Sequence, residues 1–191
     1  MIYRTKEKEL IRPVKFKLKN GKVVTIRRTR GTDYDAMMKF FEKFSRDPGA
    51  IQTFQYAGQP KKDKEKSVQL YESPDNLFIS VWDGNNVVGS ASINKVRPKH
   101  PYCMGKNAGI GMTILQKYTH NGIGNEMLQI LEKWARENGV HKIEAEIRHT
   151  NIPSIANCIK NGFVITGIQY DAAFINGKYV HHYLVEKKLE E

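Results

Sequence analysis

From Ala108 to Leu115 the chain reads as a strand, and the turn Tyr118-Thr119-His120-Asn121-Gly122-Ile123-Gly124 then opens an amphipathic run. Two glycines at a helix start let the main chain approach a phosphate closely. The unpaired N–H groups of the first turn, together with the helix dipole, favour an anion there. The chemistry predicted for this turn is therefore the grip on a pyrophosphate. Further along, Glu144 and Glu146 share one face of a second predicted strand by its two-residue period, and His149 follows them. Asn151 has the right chemistry to cap the next helix, in which Cys158 lies.

The elements that must position these residues are legible in outline. Val14, Phe16 and Leu18 alternate with Lys15, Lys17 and Lys19, and Asn20-Gly21 offers a two-residue turn into Val23-Val24-Thr25-Ile26. Thr32-Asp33-Tyr34-Asp35 is predicted to cap a helix with Thr32, and Met37, Phe40, Phe41 and Phe44 follow at helical spacing until Asp47-Pro48-Gly49. The lysine-rich stretch 59–71 reads as a surface helix or loop. Strands 76–82 and 86–96 join through Asp83-Gly84-Asn85, and 108–115 completes an antiparallel meander after a break around Pro98 and Pro101. A helix carrying Ile123, Met127, Leu128, Ile130, Leu131, Trp134 and Ala135 on one face ends at Asn138-Gly139. Strand 141–147, helix 151–160, and strands 163–170 and 179–187 around a loop 171–178 finish the chain.

With 191 residues, 40% hydrophobic content and no long apolar run, one domain over 1–191 and no membrane span are expected. The start Met1-Ile2-Tyr3-Arg4 lacks the apolar stretch of a signal peptide, so a cytoplasmic location is expected. Cys103 and Cys158 form neither a disulfide framework nor a Cys-x-x-Cys pair. The formal charge of +11 is concentrated: residues 1–30 hold eleven Lys or Arg and two Glu. This basic N-terminal hairpin region reads as a solvated face, because no aromatic side chains interleave on it to stack on bases, and a nucleic-acid partner is not expected. His181 and His182 point to opposite faces of a strand and make poor joint metal ligands, so no metal is expected.

Three phosphate-binding devices begin with a strand, glycines and a helix. A Walker loop ends in Gly-Lys-Ser or Gly-Lys-Thr, and Gly124-Asn125-Glu126 excludes it. A dinucleotide fold wants a third glycine where Met127 stands and a second mononucleotide half that the chain after Gly124 is too short to supply, although Glu144 and Glu146 stand where its acidic residue would fall. The third device binds acetyl-CoA. Ile114-Leu115-Gln116-Lys117-Tyr118, His120-Asn121-Gly122-Ile123-Gly124-Asn125, Ile143-Glu144-Ala145-Glu146-Ile147, Asn151 and Asn161-Gly162-Phe163 occur in an order and spacing that resembles the GNAT (GCN5-related N-acetyltransferase) superfamily, bacterial type, from about Val23 to the C-terminus.

The resemblance implies an α/β (α+β) fold: a mixed, mostly antiparallel twisted sheet of about six to eight strands, helices on both faces, and a V-shaped splay between two central strands. It implies an acetyl-CoA-dependent N-acetyltransferase in which an amine acceptor attacks the acetyl group directly. Met112, Thr113 and Ile114 would offer main-chain groups to the acetyl and pantetheine end, and His120, Asn121, Gly122, Ile123, Gly124 and Asn125 would wrap the pyrophosphate. Asn151 would stand near the pantetheine amide. Glu146 aligns with the general base of the ribosomal-protein N-terminal acetyltransferase branch, and His149 is the other candidate. Cys158 stands where the family commonly places the tyrosine that protonates the departing thiolate, a role open also to Tyr170. Thr119 replaces the usual Gln or Arg, and Gly109 replaces a strand carboxylate of some relatives. These departures leave open a catalytically weak CoA-binding sensor or interaction module. The acceptor, a protein N-terminus or a small-molecule amine, would lie between the first helical region and loop 171–178, and the sequence leaves room for a homodimer.

Overall fold

The computed structural model describes residues 12–52, 63–95 and 106–189. β1 (Val14–Lys17) and β2 (Val23–Arg28) pair antiparallel, with Val14 opposite Ile26 and Lys17 opposite Val23. Lys15, Lys17 and Lys19 face solvent while Leu18, Val24 and Ile26 are buried. The connecting turn differs from the two-residue expectation. The Leu18 N–H donates to the Lys22 carbonyl at 2.7 Å, leaving three residues between them, with Gly21 at φ +85°. The cause is local: the Lys22 N–H donates to Asn20 Oδ1 at 3.1 Å instead of closing a tighter ladder rung.

α1 (Tyr34–Ser45) follows a single 3-10 turn, Gly31–Asp33, and buries Met37, Phe40 and Phe44. Asp33, not Thr32, organises its start, because its carboxylate accepts the Arg30 N–H at 2.9 Å and two Arg27 N–H groups at 2.8 Å. A charged acceptor with two oxygens outcompetes a hydroxyl for a guanidinium fork. α2 (Lys64–Glu72) is capped by Asp63, whose carboxylate accepts the Lys66 N–H at 3.2 Å. Residues 59–62, Pro98, Pro101 and Cys103 lie outside the described residues.

β3 (Asn76–Asp83), β4 (Asn86–Lys95) and β5 (Asn107–Ile114) continue the meander. α3 (Ile123–Glu137), β6 (Lys142–Arg148), α4 (Ile152–Lys160), β7 (Val164–Ile175) and β8 (Lys178–Lys188) follow. One eight-stranded sheet results, in the order β1-β2-β3-β4-β5-β6-β8-β7, antiparallel except where β5 meets β6. The α3 crossover is what permits that parallel pair. Val87 through Ala91 are buried at five consecutive positions, which requires cover on both faces of the sheet, and α1 and α3 both pack against β4.

The last hairpin corrects the expected loop 171–178. β7 runs on to Ile175 through a bulge between Gln169 and Ala173, with Asp171 at φ +52°, and closes on Asn176-Gly177, both at positive φ. The bulge breaks the alternation by which a strand is read, and the Asn-Gly turn then restores pairing, with the Phe174 and Tyr179 rings 5.0 Å apart. No helix among the described residues is long and apolar enough to cross a membrane.

Candidate active site

β5 and β6 pair over only three positions, Asn107 with Lys142, Ala108 with Ile143 and Gly109 with Glu144, and then separate. Beyond Gly109, β5 bonds to β4 on one side and presents its other main-chain edge to the gap. Those groups must find partners elsewhere, and an extended ligand lying like an added strand supplies them. The gap is a cleft of about 560 Å³ walled by Gly109 to Met112, Glu144 to Ile147, and the α4 face bearing Asn151, Ser154, Asn157 and Cys158.

The glycine turn lies at the mouth of this cleft. A Cβ on Gly124 would stand 3.5 Å from Met112 Sδ and 3.8 Å from Asn157 Nδ2. Gly122 caps α3 at φ +87° with no side chain among the described residues bonded to the helix end, and the first amide to reach back is that of Glu126, to the Gly122 carbonyl at 3.1 Å. The amides of Ile123, Gly124 and Asn125 are thus the helix's first-turn donors, at its positive end. Neighbouring side chains are turned to other work. Asn121 Nδ2 donates to the Tyr118 and Thr119 carbonyls at 3.3 and 3.0 Å, and Ile123 lies in the core. Asn161 Nδ2 donates to Asn125 Oδ1 at 3.0 Å, tying the start of α3 to the end of α4. His120, at φ +59°, is exposed. The turn is fastened by Tyr118, whose hydroxyl donates to Asp83 Oδ2 at 2.5 Å. Burial and that bond push the Tyr118 hydroxyl up to about 12, while the hydrogen bonds from Lys22 and Tyr118 hold Asp83 below the usual carboxylate range. A cradle made of amides, uncapped by any side chain among the described residues, fits the phosphates of CoA.

Met112, Glu146, Asn151 and Cys158 are brought together on the cleft wall, whereas Thr113, Ile114, His149 and the turn residues His120 to Asn125 are not among its lining residues. Thr113 is buried with its hydroxyl toward the Ser90 carbonyl at 3.5 Å. Asn151 Oδ1 accepts the Ser154 N–H at 3.3 Å, so it caps α4 while facing the cleft. His149 Nδ1 lies 3.0 Å from the His181 N and 3.2 Å from the His181 carbonyl oxygen, so its ring is held against the β8 main chain, as acceptor or donor according to its tautomer. Tyr170 stands out in solvent, 73% exposed, its ring edge-on to His181.

The two β6 glutamates of the cleft separate by their partners. Lys142 Nζ lies 2.6 Å from Glu186 Oε1 and 3.4 Å from Glu144 Oε2, and hydrogen bonding to Glu186 raises the Lys142 pKa. Glu146 is 49% exposed and has instead the buried His182, whose Nδ1 lies 3.8 Å from its Oε2. Burial depresses the His182 pKa; Glu146 pulls the other way, and Arg148 and His149 add to the depression. Glu146 is therefore the cleft carboxylate with no lysine on it among the described residues. Cys158 is 5% exposed, and burial pushes its thiol up to about 11.

Sequence reading missed Glu186 and Gln169, which reach the cleft only through the register of β8 on β6 and of β7 on β8. It also missed Ser154 and Asn157, whose three-residue steps from Asn151 along α4 put them on one helix face. Among the described residues no group of three or more His, Cys, Asp or Glu is placed to hold a metal ion.

The sequence profile of the acetyltransferase (GNAT) family matches residues 35–163. The Escherichia coli ribosomal-protein-serine acetyltransferase is 24% identical over 126 residues, covering 63% of this chain and 68% of that protein. A GNAT-family acetyltransferase from Streptococcus pneumoniae superposes with a TM-score of 0.77 at 20% identity, covering 87% of this chain and 99% of that one. A Salmonella typhimurium structure solved with its cofactor acetyl-CoA gives 0.71 at 20% identity, covering 88% and 95%. The splayed sheet, the uncapped glycine turn at its mouth and the profile match over most of the chain make this protein a member of the GNAT acetyltransferase family.

Proposed function

We propose that the chain is an acetyl-CoA-dependent N-acetyltransferase that moves the acetyl group to a primary amine by direct attack. One observation carries this reading: the gap left where β5 and β6 part is walled by Met112 and Asn157, and the start of α3 lies against those same two side chains at Gly124, its first-turn amides capped by no side chain among the described residues. The amides of the turn 120–125 would hold the pyrophosphate, and the free edge of β5 at Met112, Thr113 and Ile114 would bond the pantetheine arm and acetyl end. Asn151 would orient the arm from the far wall.

The amine enters on the face where Gly109 and Gly111 leave β5 bare of side chains; a Cβ on Gly109 would meet no atom within 4 Å. Glu146 takes the proton that the nitrogen loses as the N–C bond forms, and the C–S bond breaks to release a thiolate. Negative charge growing on the acetyl oxygen is met by β5 amide donors. Being half exposed, Glu146 passes its proton directly to water. The E. coli relative is named for a ribosomal-protein serine, and a Brucella melitensis structural neighbour for a ribosomal-protein alanine. Those names favour a protein N-terminus over a small-molecule amine as acceptor.

A second reading, a CoA-binding sensor or interaction module with weak chemistry, draws on Cys158. A thiol at about 11 is a poorer acid than the thiol it would have to reprotonate, whose ordinary value is about 8.5. Mixing the purified protein with acetyl-CoA and a panel of peptide N-termini, polyamines and amino compounds, while following free thiol, separates the two. Thiol release with stoichiometric acetylation of an amine is expected; acetyl-CoA binding with no release across the panel favours the module.

A further inference from the structure

The basic N-terminal hairpin is docked on the turn that opens α3. The Lys19 main-chain N–H donates to Asn121 Oδ1 at 3.2 Å, and Phe16 Cζ lies 3.4 Å from where a Cβ on Gly122 would be. Lys22 Nζ sits 2.6 Å from Asp83 Oδ2, the oxygen that also receives the Tyr118 hydroxyl. Loop 18–22 is thereby seated against segment 118–122. Residues 12–30 contain eight Lys or Arg and no Asp or Glu, whereas residues 118–126 contain no Lys or Arg at all. Several of these cations are already engaged: Lys15 with Thr25 Oγ1 at 2.9 Å, Lys22 with Asp83, Arg27 with Asp33 and Arg28 with the Tyr71 carbonyl. Lys17 and Lys19 are exposed and meet no carboxylate among the described residues. A merely solvated face has no need of attachment to a cofactor turn.

We propose that this hairpin is the binding site for the ribose 3′-phosphate of CoA, with Lys19 at its centre and Lys17 beside it. The proposal rests on reading the α3 turn as the pyrophosphate cradle. The first-turn amides serve the pyrophosphate, so the phosphomonoester, with a charge of about −1.5 to −2 at neutral pH, needs a separate source of positive charge. The turn supplies none from its own side chains. A lysine ammonium on a flexible four-carbon stem suits a phosphate that reaches the rim of the site in more than one orientation. Because Lys19 is held by its main chain, its side chain remains free to follow the ligand.

The test is calorimetric binding of acetyl-CoA and of acetyl-3′-dephospho-CoA to the wild type and to a Lys17→Ala/Lys19→Ala double variant. Alanine keeps the Lys19 N–H and with it the docking of the hairpin, which a thermal melt checks. The wild type is expected to bind acetyl-CoA roughly five-fold tighter than the dephospho form, a preference that falls with added salt. The double variant is expected to lose that preference while holding the dephospho form within about two-fold of wild type. Equal wild-type affinity for the two ligands, or a preference that survives in the variant, overturns the proposal and leaves the cradle intact. Wild-type binding to neither ligand removes the cradle reading and the proposal with it.

Discussion

Arg27 and Asp33 meet as a fork, each oxygen of the carboxylate receiving one guanidinium N–H at 2.8 Å, while the guanidinium carbon lies 4.3 Å from the centre of the Trp82 ring. The pair joins β2 to the start of α1 and so fixes the helix that flanks the sheet. Burial pushes the Asp33 carboxyl up, but the hydrogen bonds from Arg27 and the Arg30 amide, with both guanidinium charges, outweigh it and hold it below the usual range. A depressed acid stabilises the fold above its unfolded value, about 3.9, and that contribution is lost as the pH falls through the folded value. Arg27→Ala is expected to cost about 2 kcal/mol at pH 7 by urea unfolding, with the gap to wild type narrowing below about pH 4. An equal gap at pH 7 and pH 3 would show that the loss is packing on Trp82 rather than the ion pair.

Gly122→Glu sets a carboxylate at the mouth of the proposed cradle, on a backbone at φ +87° that side chains rarely adopt. Acetyl-CoA affinity is expected to fall at least ~10-fold by calorimetry. Unchanged affinity in a variant that melts cooperatively would remove the turn from the cofactor site.

Glu146→Gln is expected to lower kcat by ~100-fold or more while acetyl-CoA affinity stays within about two-fold. Glu144→Gln is expected to have a much smaller effect on kcat, because Glu144 shares Lys142 with Glu186. Steady-state rates with the best acceptor, measured beside calorimetry, check both. Loss of rate in Glu144→Gln with a normal Glu146→Gln exchanges the two assignments.

Cys158 is expected to resist alkylation in the native protein at pH 8. With a thiol raised to about 11, the thiolate fraction there is ~100-fold or more below that of the unfolded chain. Peptide mapping after timed iodoacetamide treatment, native against urea-unfolded, measures it. Linkage runs in the same sense: between about pH 9 and 11 only the unfolded chain ionises this thiol, so its contribution to stability is complete below pH 9 and declines toward 11. Native labelling as fast as unfolded would mean that the α4 wall opens.

What the sequence alone determined was whatever depends on neighbours along the chain. The hydrophobic period of Ile123, Met127, Leu128, Leu131 and Trp134, the glycine at position 122, the Asn151 cap and the Gly84 turn act within a few residues, and all are where pattern and turn chemistry put them. Where local rules failed, a distant or competing partner was the reason: Arg27 drew Asp33 into the place expected for Thr32, and a bulge hid the second half of β7. Only the tertiary structure separated Glu146 from Glu144, because one strand face carries both and Lys142 reaches Glu144 and Glu186 but not Glu146. It likewise set the His149 ring against the main chain of His181 and raised the Cys158 thiol, since hydrogen bonding across strands and desolvation depend on what folds against a residue. The docking of Lys19 on Asn121 belongs with these, joining two segments 102 residues apart that no local pattern connects.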